Sequence, residues 1–424
     1  MSAGHRTAKL SDPGVAEVIL GQSPPSSAYN DRGEGLPFFQ GKADFGLLYP
    51  VPRIWCDNGQ KFAAKGDVLM SVRAPVGDVN KATHDCVIGR GIAALRAGKR
   101  TDPWFLFFAL EYCRPILESR STGSTFASVN KTTLEDLDIP FPDLPEQQGI
   151  GKALAVVVGK IAAEDHLFKV AQDLKRAAMR ALFTKGLRGE AQKDTEIGLV
   201  PESWEVSTLG KVSSIERGRF LHRPRNEPRF YGGDTPFVQT GDVVRSGGRI
   251  RDFTQTLNSD GVAISRVFPA GTILITIAAN IGYTGILRFD SACPDSLVAI
   301  TPKADITTEF LEYWLQTQQA DMDRAAPKGT QKNINIQFLL PWPVVVPPLD
   351  EQREIVAVLD AIDRKIDLHK RKRAVLEELF KSLLHKLMTG EIRVADLDLS
   401  ALETAEESIG ANGASPKRAE GEAA

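Results

Sequence analysis

The stretch Leu144–Ile161, LPEQQGIGKALAVVVGKI, is written a second time as Leu349–Ile366, LDEQREIVAVLDAIDRKI. At a constant offset of 205 positions, Leu144/Leu349, Glu146/Glu351, Gln147/Gln352, Ile150/Ile355, Leu154/Leu359, Lys160/Lys365 and Ile161/Ile366 are identical. The same offset carries Gly66–Gly77 (GDVLMSVRAPVG) onto Gly271–Gly282 (GTILITIAANIG), and Leu182–Arg188 onto Leu387–Arg393. Farther upstream, Gly35–Gln40 (GLPFFQ) matches Asp234–Gln239 (DTPFVQ) at an offset of 199, so insertions separate this point from Gly66. A period this long marks a duplicated domain rather than a solenoid repeat. Two similar modules on one polypeptide can read two sites on one ligand.

Each copy of the quoted stretch follows a proline-rich strand, IPFPDLPEQQ or WPVVVPPLDEQ. Proline ends the strand and is excluded from the following helix interior, which makes the boundary sharp. Glu146 and Glu351 fall in the first helical turn, where the macrodipole favours an anion. Beyond them, Leu154, Val157, Ile161, Phe168, Ala171, Ala178 and Leu182 recur at 3–4 spacing, interrupted by Glu164 and Lys175. The second copy has Leu359, Ile362, Ile366, Leu376, Phe380, Leu383 and Leu387, with His369 and Arg373 as its polar members. Such patterning predicts two coiled-coil helices, over about 148–184 and 353–389, each roughly 50 Å long. They are expected to pack on each other, since a solitary helix would expose its stripe.

The rest of each half reads as short apolar strands between Gly- and Pro-rich turns. One helix is expected over Pro103–Arg120, N-capped by Asp102, and its partner over Thr307–Ala325. The expected fold class is α+β: two tandem mixed α/β domains joined by two long helices forming a coiled coil. The segments are 1–143, 144–190, 191–348, 349–394, and an Ala/Glu/Ser/Gly-rich tail, 395–424, expected to be disordered.

Composition narrows the function. With 25% charged residues and a net charge of -2, the chain is not a generally basic polyanion binder, so any nucleic-acid surface must come from local clustering. The four cysteines form no CxxC, and no HExxH or HxxxH occurs, so no metal site is expected and the thiols suit a reducing compartment. The N-terminal residues lack a signal-peptide core, and the apolar runs Trp104–Leu110 and Ile273–Ile281 are too short or too interrupted to span a bilayer, so the cytoplasm is the expected location.

Catalytic motifs are missing. Gly149-Ile-Gly-Lys152 lacks the Ser/Thr and first glycine of a phosphate loop. There is no GxSxG, no GxGxxG after a strand, no Asn/Asp-Pro-Pro-aromatic tetrapeptide and no nuclease core. Binding features are clearer. Arg217, Arg219, Arg223, Arg225 and Arg229 crowd together with only Glu227 opposing, a density suited to phosphate contacts; a solvated basic loop is the plainer alternative. Arg73 and Asn280 sit in equivalent loops and could read guanine and adenine edges, or serve only the turn. Two polar, glycine-centred loops precede the last strand of each half. They contribute Ser124, Thr125 and Lys131 in one, with Asn130, and Lys328, Thr330, Gln331, Lys332 and Asn333 in the other. Gln40 and Gln239 hold matched positions.

Two globular halves, each closed by a proline-rich strand, a Glu-Gln dipeptide and a long helix, resemble the specificity subunit of type I restriction–modification systems. PESWEVSTLGKV (Pro201–Val212) resembles that family's entry into a target recognition domain, and GQSPPSSAYN with GLPFFQGKADFG resembles one of its recognition-domain types. The first half departs from the pattern in lacking the tryptophan of that entry, Trp204. The resemblance implies a non-catalytic DNA-binding chain whose halves each read part of a gapped, asymmetric double-stranded site. It implies that the two long helices form an antiparallel coiled coil, which is a spacer and docks two modification (methyltransferase) subunits, with Glu146, Gln147, Ile150, Glu351, Gln352 and Ile355 at the docking region. Restriction (motor) subunits would complete the assembly. S-adenosylmethionine, ATP and Mg2+ would sit on the partners, with no cofactor on this chain. A two-headed protein scaffold without DNA recognition is the competing expectation.

Overall fold

The computed structural model describes residues 5–121, 128–327 and 332–397. The chain forms two compact units. The first joins the residues up to Leu167 with those from His369 onward; the second is the contiguous segment Phe168–Leu368.

In the first unit, Ile92–Ala97 is flanked by Ala16–Leu20 and Val68–Ser71, both antiparallel, with Val79–Lys81 outermost. Val68–Ser71 is buried on both faces, which explains its unbroken apolar run. A second sheet has Leu36–Phe39 beside Cys86–Ile88 in parallel. Thr7–Lys9 pairs with Asp138–Pro140. The helix Pro103–Tyr112 carries the core residues Phe105–Leu110 and is capped by Asp102, whose carboxylate accepts from the Trp104 and Phe105 N–H groups at 2.9 and 2.8 Å. The single helix expected over Pro103–Arg120 is in fact two, breaking at Cys113 before Arg114–Arg120. Pro115 supplies the reason: it has no N–H to donate and crowds the preceding turn, so it is tolerated only in a new first turn.

The second unit repeats this frame. Leu297–Pro302 lies between Ser213–Arg217 and Ile273–Thr276, and Thr284–Leu287 follows. Tyr231–Phe237 meets Ser291–Ala292 in parallel, and Glu205–Thr208 pairs with Pro343–Val346. Register is duplicated: Ala93 faces Met70 as Val298 faces Ile275. One strand, Gly248–Ile250, is added in parallel at the edge of Thr284–Leu287 and has no counterpart among the described residues of the first unit.

The long helices run Leu144–Lys185 and Leu349–Thr389. The first includes Pro145, because a first-turn proline removes only an N–H that has no helical partner, and the second starts directly after Pro347 and Pro348. Each is pinned at its start by a buried glutamine. The Gln147 side chain accepts from Asp102 N and donates to the carbonyls of Arg100 and Pro142, at 2.9–3.2 Å. Gln352 does the same with Thr307 N and the carbonyls of Asp305 and Pro347, at 2.8–2.9 Å.

Within each unit the two helices pair antiparallel. In the first, Ile150, Leu154 and Val158 share a core with Leu384, Leu387 and Met388. In the second, Met179, Leu182 and Phe183 meet Ile355 and Leu359. The polar breaks in the stripe find partners: His369 Nδ1 lies 2.6 Å from Glu164 Oε2, Arg373 bonds Asp165 at 2.7 Å, and Lys175 bonds Asp363 at 2.8 Å. The seam between the apolar ends thus carries charged pairs beside buried apolar residues such as Ala171. Glu164 and His369 are equivalent by the offset of 205, so this pair joins the two copies of one repeat position. Polar pairing of this kind fixes helix register.

At the position equivalent to Trp204, set by the pairing of Lys9 with Asp138 and of Thr208 with Pro343, the first unit has His5. Trp204 stands over Gly186, and His5 stands over Gly390; both glycines are left-handed, at φ 62° and 75°, and end the long helices. Trp204 donates to Glu351 at 3.0 Å, and the His5 ring contacts the Leu387 carbonyl at 2.8 Å. The missing tryptophan is thus replaced by another ring over the helix-ending glycine, with a different hydrogen-bond partner.

In the second unit the extra strand delivers Arg249 to a buried network. Arg249 bonds Glu312 at 2.7 Å and Asp360 at 3.1 Å, and Tyr313 donates to Asp360 and Asp363, both at 2.7 Å. Burial pushes the Glu312 carboxyl upward and Arg249 opposes the shift. Removing one member leaves the other charge buried alone, so Arg249→Ala should destabilise the protein by about 3–5 kcal/mol in urea unfolding, whereas a loss below 1 kcal/mol would mean that the network does not hold the domain.

Lys81 of the first unit lies 4.4 Å from the Trp104 ring, and its ammonium has no hydrogen-bond partner among the described residues. Burial lowers its pKa from 10.5 to about 8. Between these values the unfolded chain holds a proton that the folded chain has released, so stability rises with pH across that window. Lys81→Met should abolish that rise and stabilise the protein at neutral pH by about 1–3 kcal/mol; a pH profile matching the wild type would contradict this.

Candidate nucleic-acid interface

Three strand ends of the first unit converge. Gln40 follows Leu36–Phe39, Arg73 follows Val68–Ser71, and Arg90 follows Cys86–Ile88. Together with Lys42 they line an open concavity of about 360 Å3. The approach of the first and third ends is close: a Cβ on Gly91 would lie 2.3 Å from the Gln40 carbonyl oxygen, so only glycine fits. Arg73 and Arg90 are exposed, and neither has an ion-pair partner among the described residues; Lys42 is held by Asp78 at 2.8 Å. Two free guanidiniums beside an amide suit phosphate oxygens or guanine edges. The sequence pointed to Gln40 and Arg73 separately, and the fold brings them together. Arg90 was missed.

The loop carrying Arg73 is held by a bridge to Ser128 and by the Val129 N–H on the Val72 carbonyl at 3.0 Å. Lys131 opens a short helix and faces Glu135 at 3.5 Å. Asn130 is spent as that helix's cap, accepting from Thr133 N at 2.8 Å. Ser124, Thr125, Lys328, Thr330 and Gln331 lie outside the described residues.

In the second unit the three places are held by Gln239, Ala278 and Asp295. The Gln239 amide donates to Gln255. Asn280 is exposed at the tip of its loop, where Ala279 adopts a left-handed φ of 64°, a conformation that L side chains rarely adopt and that clusters at functional loops. Asn333 bridges Ala278, as Ser128 bridges Arg73. Lys332 is tied back, donating to Asp323 at 2.9 and 3.1 Å.

The arginine cluster is more ordered than its sequence suggests. Arg223 bonds the Asp295 carboxylate at 2.8 Å, Arg225 bonds the same carboxylate, and Arg217 Nε donates to the Asp295 carbonyl at 2.7 Å. Arg219 donates to the Ser265 carbonyl at 2.8 Å, and Arg229 stacks 4.5 Å from the Phe230 ring. Glu227 is therefore not the opposing charge; Asp295, distant in sequence, is.

Of the six residues expected at the partner-docking region, five are buried and Glu146 is half-buried. Gln147, Ile150, Glu351, Gln352 and Ile355 are at most 1% exposed. Glu351 accepts from Leu187 N at 2.7 Å, and the half-buried Glu146 accepts from Val394 N at 3.0 Å. Their donors and acceptors are consumed in closing each unit, which leaves little for a partner to touch. All four cysteines are buried, and burial pushes the thiols of Cys86, Cys113 and Cys293 up to about 12, so they are poor nucleophiles.

Comparison with known proteins follows the same duplication. The type I restriction modification DNA specificity domain matches twice, at residues 14–169 and 201–378. The chain belongs to that family, as a tandem pair. It is 41% identical over 173 residues to the putative type I restriction enzyme MjaX specificity subunit of Methanocaldococcus jannaschii, a match spanning 41% of each chain. Over 430 residues it is 26% identical to the type I restriction enzyme EcoBI specificity subunit of Escherichia coli, covering 91% of this chain and 86% of that one. The crystal structure of a type I restriction–modification S subunit from M. genitalium shares the fold, with a TM-score of 0.64 at 18% identity over 90% of this chain and 96% of that one.

If the concavity touches DNA, Arg73→Ala and Arg90→Ala should each lower affinity and reduce the slope of log K against log salt by about one unit per lost phosphate contact. Fluorescence anisotropy of the assembled complex across a salt series reads both quantities. Unchanged affinity and slope would put that arginine outside the interface.

Proposed function

We propose that this chain is the non-catalytic DNA-recognition subunit of a type I restriction–modification assembly. Each unit reads one part of a gapped, asymmetric duplex site, and the helix pair sets the gap. The observation that carries this reading is the pair of strand-end constellations. They follow strands of equivalent register in the two sheets of each unit, with Gln40, Arg73 and Arg90 in one and Gln239, Ala278 and Asp295 in the other. Equivalent scaffolds carrying different side chains at these positions are what reading two unlike half-sites requires. Two readers meeting one face of a duplex need centres about 34 Å apart, or a multiple of it, and helices of this length suit a spacer on that scale.

The partners in this reading are two adenine-N6 methyltransferase subunits, which bring S-adenosylmethionine, and motor subunits using ATP and Mg2+. With the Glu-Gln pairs buried, docking falls to exposed side chains of the long helices. Val170 and Leu174 stand one turn apart and are 48% and 56% exposed; Val375 and Leu379, their equivalents at the offset of 205, are 65% and 44% exposed. The patch is thus present twice, as two copies of one partner would need.

Single-molecule sequencing of host DNA with and without this gene tests the reading. One two-part adenine-methylation motif should disappear with the gene. An unchanged methylome, together with no methyltransferase co-purifying with the chain, would favour a protein scaffold instead.

A further inference from the structure

The two units reach a positively charged reading surface by opposite routes. Cys86–Ile88 runs parallel to Leu36–Phe39 as Ser291–Ala292 runs parallel to Tyr231–Phe237, with Val87 opposite Phe38 and Ala292 opposite Phe237. Arg90 and Asp295 therefore stand at the same point, just beyond equivalent strand ends. In the first unit that point presents a guanidinium directly. In the second it presents a carboxylate, and the Arg73 position is Ala278, so no cation is built into the scaffold there.

The loop after Ser213–Arg217 compensates. Its first-unit equivalent, Gly21–Gly35, has one arginine, Arg32, which is paired with Glu34 at 2.8 Å. In the second unit, Arg223 and Arg225 converge on the Asp295 carboxylate, and Arg217 on its carbonyl. Arg223 is further fixed by donating to the carbonyls of Phe220 and His222 at 2.7 and 2.8 Å. Each guanidinium has five N–H donors, and the side chains of Arg223 and Arg225 remain 51% and 42% exposed, so both keep donors facing solvent. One carboxylate against three arginines leaves the surface positive.

Fixing matters because a mobile arginine and a held arginine do different work. A mobile one follows phosphates, which carry no sequence information. A held fork can meet the O6 and N7 of guanine in one geometry, with its ordering cost already met in the free protein. We propose that Asp295 is the positioning residue that gives the second unit its base preference, by holding Arg223 and Arg225 where the first unit has Arg90. The proposal rests on the functional reading above.

The test uses the chain expressed with its own modification subunits in a host lacking other adenine methylation, and reads the methylated motif by single-molecule sequencing. For Asp295→Asn, one half of the motif should persist unchanged. Discrimination at one or two base pairs of the other half should fall by roughly 5- to 150-fold, the range one bidentate contact supplies. Binding to unrelated duplex DNA should hold or increase, because a negative charge is gone; a loss of structure would lower it instead. Arg223→Gln combined with Arg225→Gln removes the held groups but keeps the carboxylate, and should relax the same base pairs. That variant decides the matter where Asp295→Asn yields no soluble complex. A motif unchanged in either variant would overturn the proposal while leaving the functional reading intact. A wild-type chain directing no two-part methylation would overturn both.

Discussion

The structure depends on two buried amides. Gln147 and Gln352 each satisfy three backbone groups at the junction of a domain, its proline-rich strand and its long helix. The loop groups involved are close to the interior and have no strand or helix of their own to bond, so leaving them unpaired would cost about 1–3 kcal/mol each. A glutamine has the reach and the mixed donor–acceptor head that the geometry needs; glutamate could not donate, and lysine could not accept. The neighbouring Glu146 and Glu351 add a second fastening, each gripping the backbone that leaves the end of the other long helix. Domain orientation on the helices follows from these contacts together with the apolar cores beneath them.

Duplication preserved that frame and freed the loops. Strand registers, helix caps, the glycines ending the helices and the glutamine fastenings recur, while the exposed groups at the strand ends do not. Asn130 and Asn335 illustrate the conserved part: each caps a short helix after the polar loop, accepting from Thr133 N and Phe338 N. The reversal of charge between Arg90 and Asp295 illustrates the other. Scaffold positions are constrained by packing and by backbone hydrogen bonding, whereas loop tips answer only to their ligand.

Most of the fold was legible because duplication reports it twice. The two long helices and the strand-rich halves follow from periodicity and proline placement, whereas the antiparallel sense of the helix pair was implied by the family resemblance. The break at Cys113 was also readable from Pro115, but the apolar run masked it. The choice of partners in the seam was not readable: Glu164 with His369 and Lys175 with Asp363 depend on the axial offset of the helices, which heptad spacing leaves open. The repeated Glu-Gln dipeptide is expected at the partner-docking region, and the structure buries Gln147, Glu351 and Gln352; a single sequence cannot separate burial from docking as the cause of a repeat. Arg90 and Asp295 went unnoticed singly because isolated charges are usually solvated surface; aligning the repeats one step past Ile88 would have exposed their opposition. Arg223 finds its carboxylate 72 residues away, a pairing that no local pattern encodes.

The division of the long helices has a consequence for the order in which the chain is made. The second unit is one unbroken segment, whereas the first is closed by residues from both sides of it. Ile150, Leu154 and Val158 emerge from the ribosome early, yet Leu384, Leu387 and Met388, which cover them, are translated more than two hundred residues later. The domain synthesised first is therefore completed last, and its helix carries an uncovered apolar stripe throughout translation of the second domain. Chains of this topology reverse the usual vectorial order, in which amino-terminal domains finish folding before the rest appears, and so place their greatest exposure to aggregation at the middle of synthesis rather than its start.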